Sequence, residues 1–179
     1  MARSMTETPD IVDCVIEDPR WDSADLSGHA RRAALAVLAR LDLDPEAFQL
    51  CVMGCDDARI AELNTEFRGK PVPTNVLSWP AEDLAPEDEG EGAVPELPEP
   101  DPQAALFGPA ELGDIAISFD TCDREATAGG LTFSHHVTHL LVHGILHLLG
   151  YDHVRDGDAE LMEGLETEIL GKMGIADPY

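Results

Sequence analysis

The residues best suited to chemistry lie in one run: His143-Gly144-Ile145-Leu146-His147-Leu148-Leu149-Gly150-Tyr151-Asp152-His153. His143 and His147 are four apart, so on a helix their imidazoles share a face. Gly150 suits the helix end, because it enters the left-handed conformation without a Cβ penalty. His153 can then fold back from the following turn. Three imidazoles could thereby meet one metal ion and leave a fourth position for water, which is how catalytic zinc sites are built. Buried imidazoles without partners would leave costly unpaired nitrogens, so a metal is the expected reason for all three.

The same spacing, HxxxHxxGxxH, is that of the metzincin peptidases, which carry a glutamate base directly after the first histidine. Here that position is Gly144, which cannot take a proton. The metal scaffold is present and the peptidase base is not. His139 lies one turn before His143 and could steady the site, touch substrate, or be a helical histidine without chemistry. His29 and His135 read as surface residues. Asp152 could orient an imidazole or water, or bond amides of the turn.

A second segment, Asn64 to Pro80, carries Arg68 and Lys70 in a chain with few cations. An arginine offers planar, paired donors to phosphate oxygens. Alone, it would equally suit a fold-holding salt bridge. The chain has 11 basic and 36 acidic residues among 179, a net charge of -25. That charge excludes a nucleic-acid binder with a broad basic surface. The four cysteines, Cys14, Cys51, Cys55 and Cys122, form neither the paired motifs of a thiolate zinc site nor a disulfide framework. They read as small buried hydrophobes of a reducing compartment.

These residues need a scaffold. Residues 1–9 are polar and expected to fray. Ile11–Ile16, Phe48–Met53, Val76–Trp79 and Ile115–Phe119 read as strands, the second stopped at Gly54 and the third at Pro80. Leu26–Leu41 has helical apolar spacing. Asp56 and Asp57 can cap a helix with Ile60, Leu63 and Phe67 on one side and Gly69 at its end. A short helix is expected over 120–128 and a last one over Asp158–Met173. Ser134–Leu149 is apolar almost all round, so it should be a central buried helix carrying the first two histidines. Residues 81–111 hold ten acidic residues, six prolines and no lysine or arginine, which predicts a long acidic, Pro-rich surface loop. Four strands and about four to six helices make an α+β fold, layered, in a single domain over 10–179. No run is long and apolar enough for a transmembrane helix, and no signal peptide is visible. No membrane association and a cytoplasmic location are expected.

The chain resembles the YbeY family of bacterial rRNA-maturation endoribonucleases. The likeness rests on residues 64–80, on Gly113-Asp114-Ile115, on the His143–His153 motif and on Glu160–Glu168. It departs from the family in the length of 81–111 and in Trp79, where phenylalanine is more usual. The resemblance implies a small mixed four-stranded sheet with helices. It implies one Zn2+ on His143, His147 and His153, and Arg68 as a catalytic group. It also implies single-strand RNA cleavage in ribosomal RNA processing, namely late 16S 3'-end maturation and ribosome quality control. The net charge adds an expectation. The substrate should be ribosomal RNA presented within immature small-subunit particles, with a basic ribosomal protein as partner. A local positive groove near Arg59, Arg68 and Lys70 is the other way to admit a polyanion. Two readings compete: a metal-stapled ribosome-assembly chaperone without turnover, and a metallopeptidase with a substitute for its missing glutamate.

Overall fold

The computed structural model describes residues 11–84, 94–99, 106 and 108–179. The frayed start expected at 1–9 and most of the loop expected at 81–111 lie outside these residues. Residues 94–99 carry no helix or strand, and Pro95 there is buried.

Strand β1 (Val12–Ile16) leads through a single helical turn, α1 (Arg20–Ser23), to α2 (Leu26–Arg40) and β2 (Phe48–Cys55). Next come α3 (Asp57–Arg68), β3 (Val76–Pro80) and β4 (Ala110–Ser118). The chain ends in α4 (Phe119–Gly129), α5 (Phe133–Leu148) and α6 (Asp156–Lys172). The sheet order is β1-β2-β4-β3, with β1, β2 and β4 parallel and β3 antiparallel on the edge. This is the expected mixed four-stranded α+β fold.

The two sheet faces carry different cores. Helices α2 and α5 cover one, around Leu50, Val52, Ile115 and Ile117, and α6 packs on those two helices. Helix α3 covers part of the other, with Ile60 and Leu63 against Cys55, Leu77 and Ala116. Helix α5 is the buried one, as its sequence predicts: Val137, Leu141, Val142, Ile145, Leu146 and Leu148 are all fully enclosed. No helix among the described residues is long and apolar enough to cross a membrane.

Two boundaries and one side chain differ from expectation. β2 runs through Gly54 instead of stopping there. A Cβ at Gly54 would lie 2.6 Å from both Trp21 and Leu26, so glycine marks a close approach inside the strand. The Trp21 indole donates to the Cys55 carbonyl at 3.0 Å. β4 begins at Ala110, so 110–111 leave the predicted loop: Ala110 and Glu111 pair with Phe48 and Gln49. Phe67 does not follow Ile60 and Leu63 inward and is 60% exposed, because the last turn of α3 extends past the small core. The cysteines are free thiols; Cys55 and Cys122 are buried, whereas Cys14 and Cys51 are only half-buried.

Candidate metal centre

Helix α5 delivers His143 and His147 to one face, and the turn after it returns His153. The carboxyl end of α5 is closed by Gly150 at φ +98°, where a Cβ would lie 2.6 Å from the Leu84 carbonyl oxygen. Only glycine fits both that dihedral and that contact. Asp152 accepts from the His153 amide at 2.7 Å, which holds the turn. The result is a cluster in which one nitrogen from each of His143, His147 and His153 lies within 4.8 Å of the others. His143 and His147 approach Nε2 to Nε2 at 3.1 Å. Three convergent imidazoles, with no carboxylate among them, are a donor set that fits one borderline-soft divalent ion and leaves a coordination position open. Burial, reinforced by the other two imidazoles, pushes His147 down to about 4, so it is neutral and ligand-ready at pH 7.

Glu166, on α6, is fully buried behind this cluster. His143 Nδ1 donates to its Oε1, and the Tyr179 hydroxyl donates to its Oε2. His139 Nε2 lies 3.3 Å from the same hydroxyl and 3.8 Å from Glu166 Oε2. Burial works to raise the Glu166 carboxyl, but bonds from His139, His143 and Tyr179 outweigh it and hold it at about 2. A charged Glu166 fixes His143 as the Nδ1–H tautomer and frees Nε2 to bind metal. His139 therefore belongs to the surroundings of the site. Glu166 and Tyr179 are site residues that sequence reasoning missed. A signal was present: Glu166 falls four residues after Met162 and three before Ile169, within the buried stripe of α6.

A cleft of about 400 Å³ joins this cluster to the end of α3. Arg68, Asn75 and Ser78 line it together with His143, His147 and His153. Arg68 is the last residue of α3, whose chain turns at Gly69 with φ +68°. The Asn64 side chain then ties the following loop back by donating to the Val72 carbonyl at 2.9 Å. The structure thus brings all four sequence-predicted site residues to one cleft. Arg59 is not among them. It sits on the first turn of α3 and pairs with Glu17 and Glu62 at 3.2 Å each, so the expected positive groove does not include it. His135 is exposed as expected, while His29 is half-buried beside Arg32.

The position where metzincins carry their base is closed by packing. A Cβ on Gly144 would lie 3.1 Å from Ile115 Cδ1 and from Ser78 Oγ. Glycine here lets α5 lie flush on β3 and β4.

The chain matches the family described as Endoribonuclease YbeY over residues 14–174. It belongs to that family. Among its relatives, the Endoribonuclease YbeY of Ruegeria pomeroyi is 61% identical over 168 residues, covering 94% of this chain and 97% of the relative. That of Paracoccus denitrificans is 61% identical over 173 residues, covering 97% and 92%. That of Bradyrhizobium diazoefficiens is 44% identical over 176 residues, covering 98% and 85%. A solution structure of a Thermotoga maritima protein shares the fold, with a TM-score of 0.53 at 20% identity over 93% of this chain and 97% of that one. The YbeY match spans α3, β3, α5 and α6, and Tyr179 lies beyond it.

Proposed function

We infer that this protein is a zinc-dependent endoribonuclease of ribosomal RNA processing, with the metal on His143, His147 and His153 and Arg68 as its phosphate-directed group. One observation carries the reading. In a chain of an endoribonuclease family, three converging imidazoles share a cleft with an arginine that makes no ion pair among the described residues. By contrast, Arg20, Arg32, Arg40, Arg59, Arg124 and Arg155 are each neutralised by a carboxylate.

Bound zinc supplies Lewis-acid polarisation of a phosphoryl oxygen and a water of lowered pKa. The protein's own groups do the rest. Glu166 holds His143 in its ligating tautomer and orientation. Arg68 donates to the charge that grows on the non-bridging oxygens as the phosphodiester is cut. The packed Gly144 leaves no carboxylate beside the metal, which weighs against the peptidase reading.

The substrate we propose is precursor 16S rRNA near its 3' end, in late maturation and quality control of small subunits in the cytoplasm. A field of -25 charges repels naked RNA over most of the surface. The RNA is therefore expected on an immature particle, presented beside a basic ribosomal protein. Single-turnover cleavage on purified precursor rRNA and on immature small-subunit particles, at matched zinc and ionic strength, tests this. Particles should be cut faster and at fewer sites, and chelated protein should cut neither. Equal rates and sites would remove presentation but keep the nuclease. No cleavage by zinc-loaded protein, with particle maturation still improved, would establish the chaperone instead.

A further inference from the structure

A second feature lies beside the cleft, on the other face of the edge strand. β3 alternates: Val76, Ser78 and Pro80 line the metal cleft, while Leu77 and Trp79 turn toward α3. Phe67, next to Arg68, stands over Trp79 with ring centroids 5.1 Å apart and planes at 63°. An edge contact of this kind leaves the flat face of a ring free. Phe67 is 60% exposed in a chain with only five phenylalanines. Arg68 and Lys70 follow within three residues, both exposed and neither in an ion pair among the described residues. Bare aromatic faces beside unpaired cations are how proteins hold single-stranded nucleic acid without reading its sequence.

We propose that Phe67, backed by Trp79, is a base-stacking platform for single-stranded RNA just outside the metal cleft, with Arg68 at the scissile phosphate and Lys70 holding a flanking one. The proposal rests on the RNA reading above. The charge argument favours RNA over a protein occupant. These two cations are unneutralised where the other described arginines at the surface are mostly paired, and Arg68 itself lines the cleft. A strand with its scissile phosphate at Arg68 would pass over β3 and lay a neighbouring base on Phe67.

The structure provides its own reporter. Trp21 is fully buried, whereas Trp79 is partly exposed at the platform, so quenching by RNA bases reads Trp79. The zinc-loaded full chain is titrated with 2'-O-methyl octauridylate, and single-turnover cleavage of a precursor rRNA fragment is followed in parallel. Phe67→Ala and Phe67→Leu should weaken binding about 5- to 150-fold, the loss of one stacked base. They should raise the half-saturating RNA concentration by more than they lower the saturated rate. Phe67→Tyr should bind within about twofold of the parent, because it restores a ring. Zinc content and thermal midpoint, measured for each variant, must match the parent. Unchanged binding and cleavage in both Phe67→Ala and Phe67→Leu would overturn the platform and leave the nuclease standing. A defect confined to ribosomal particles, with naked RNA bound normally, would overturn it in favour of a protein-docking patch. If the parent neither binds this RNA nor cuts precursor rRNA, whether free or within immature small-subunit particles, the RNA reading fails and the platform with it.

Discussion

Glu166 accepts the Nδ1 proton of His143 from a position with no solvent exposure. A buried carboxylate is tolerated only when its oxygens are bonded, and here His143 takes one and Tyr179 the other. The pair links α6 and the chain end to the metal-facing histidine on α5. It predicts that Glu166→Gln, which keeps the shape and loses the charge, weakens zinc binding about 10- to 100-fold. Competition with a chromophoric chelator measures this. Affinity equal to the parent would show that Glu166 only fills space.

Gly150 is predicted to be irreplaceable for a different reason. Gly150→Ala places a Cβ against the Leu84 carbonyl at a positive φ. The cost should be about 2 kcal/mol or more, seen as a lower thermal midpoint. Because His153 follows the same turn, zinc affinity should drop as well. A variant with parental stability and affinity would contradict the account of this turn.

Besides Glu166, the acid limb of stability should come from a second carboxylate network, outside the metal cleft. Hydrogen bonds from Arg20 hold Asp18 below the ordinary carboxyl range. Arg20, with the Asp57 amide, does the same for Asp120. Burial opposes the charge on Asp57, but bonds from Ser118, Thr121 and Arg124 outweigh it. All three folded values lie below the unfolded ones. Their contribution is therefore complete above the unfolded carboxyl pKa of about 3.9 and is lost as pH falls through the folded values. Urea midpoints should fall gently as pH drops from about 6.5 toward 4, because His147 stays neutral in the fold, and steeply below about 4 as the carboxylates take up protons. Asp57→Asn should shallow that fall; a limb as steep as the parent's would contradict the assignment.

Much of this was legible in the sequence. The apolar run of α5 could only be a buried helix, and three histidines at that spacing could only converge if Gly150 turned the chain. Arg68 stood out because so few cations surround it. The rest depended on tertiary approach. Gly54 looks like a strand end until Trp21 and Leu26 are seen pressing on it. Phe67 has the right spacing for burial, but α3 outruns the core it covers. Glu166 reaches His143 from 23 residues away and Tyr179 reaches His139 from 40, and no local pattern encodes that meeting. Arg59 looked available for phosphate until Glu17 and Glu62 were found beside it.

On the proposed function, a metal on three histidines and an unpaired arginine act on one phosphodiester. The most direct measurement compares His147→Ala with Arg68→Ala for zinc content, thermal midpoint and single-turnover cleavage of one precursor rRNA fragment. His147→Ala should lose both zinc and cleavage. Arg68→Ala should keep one equivalent of zinc and its thermal midpoint, and lose cleavage about 100- to 1,000-fold, as expected for removing a donor to transition-state charge. An Arg68→Ala protein that cuts at the parental rate, or a His147→Ala protein that cuts without metal, would contradict the account.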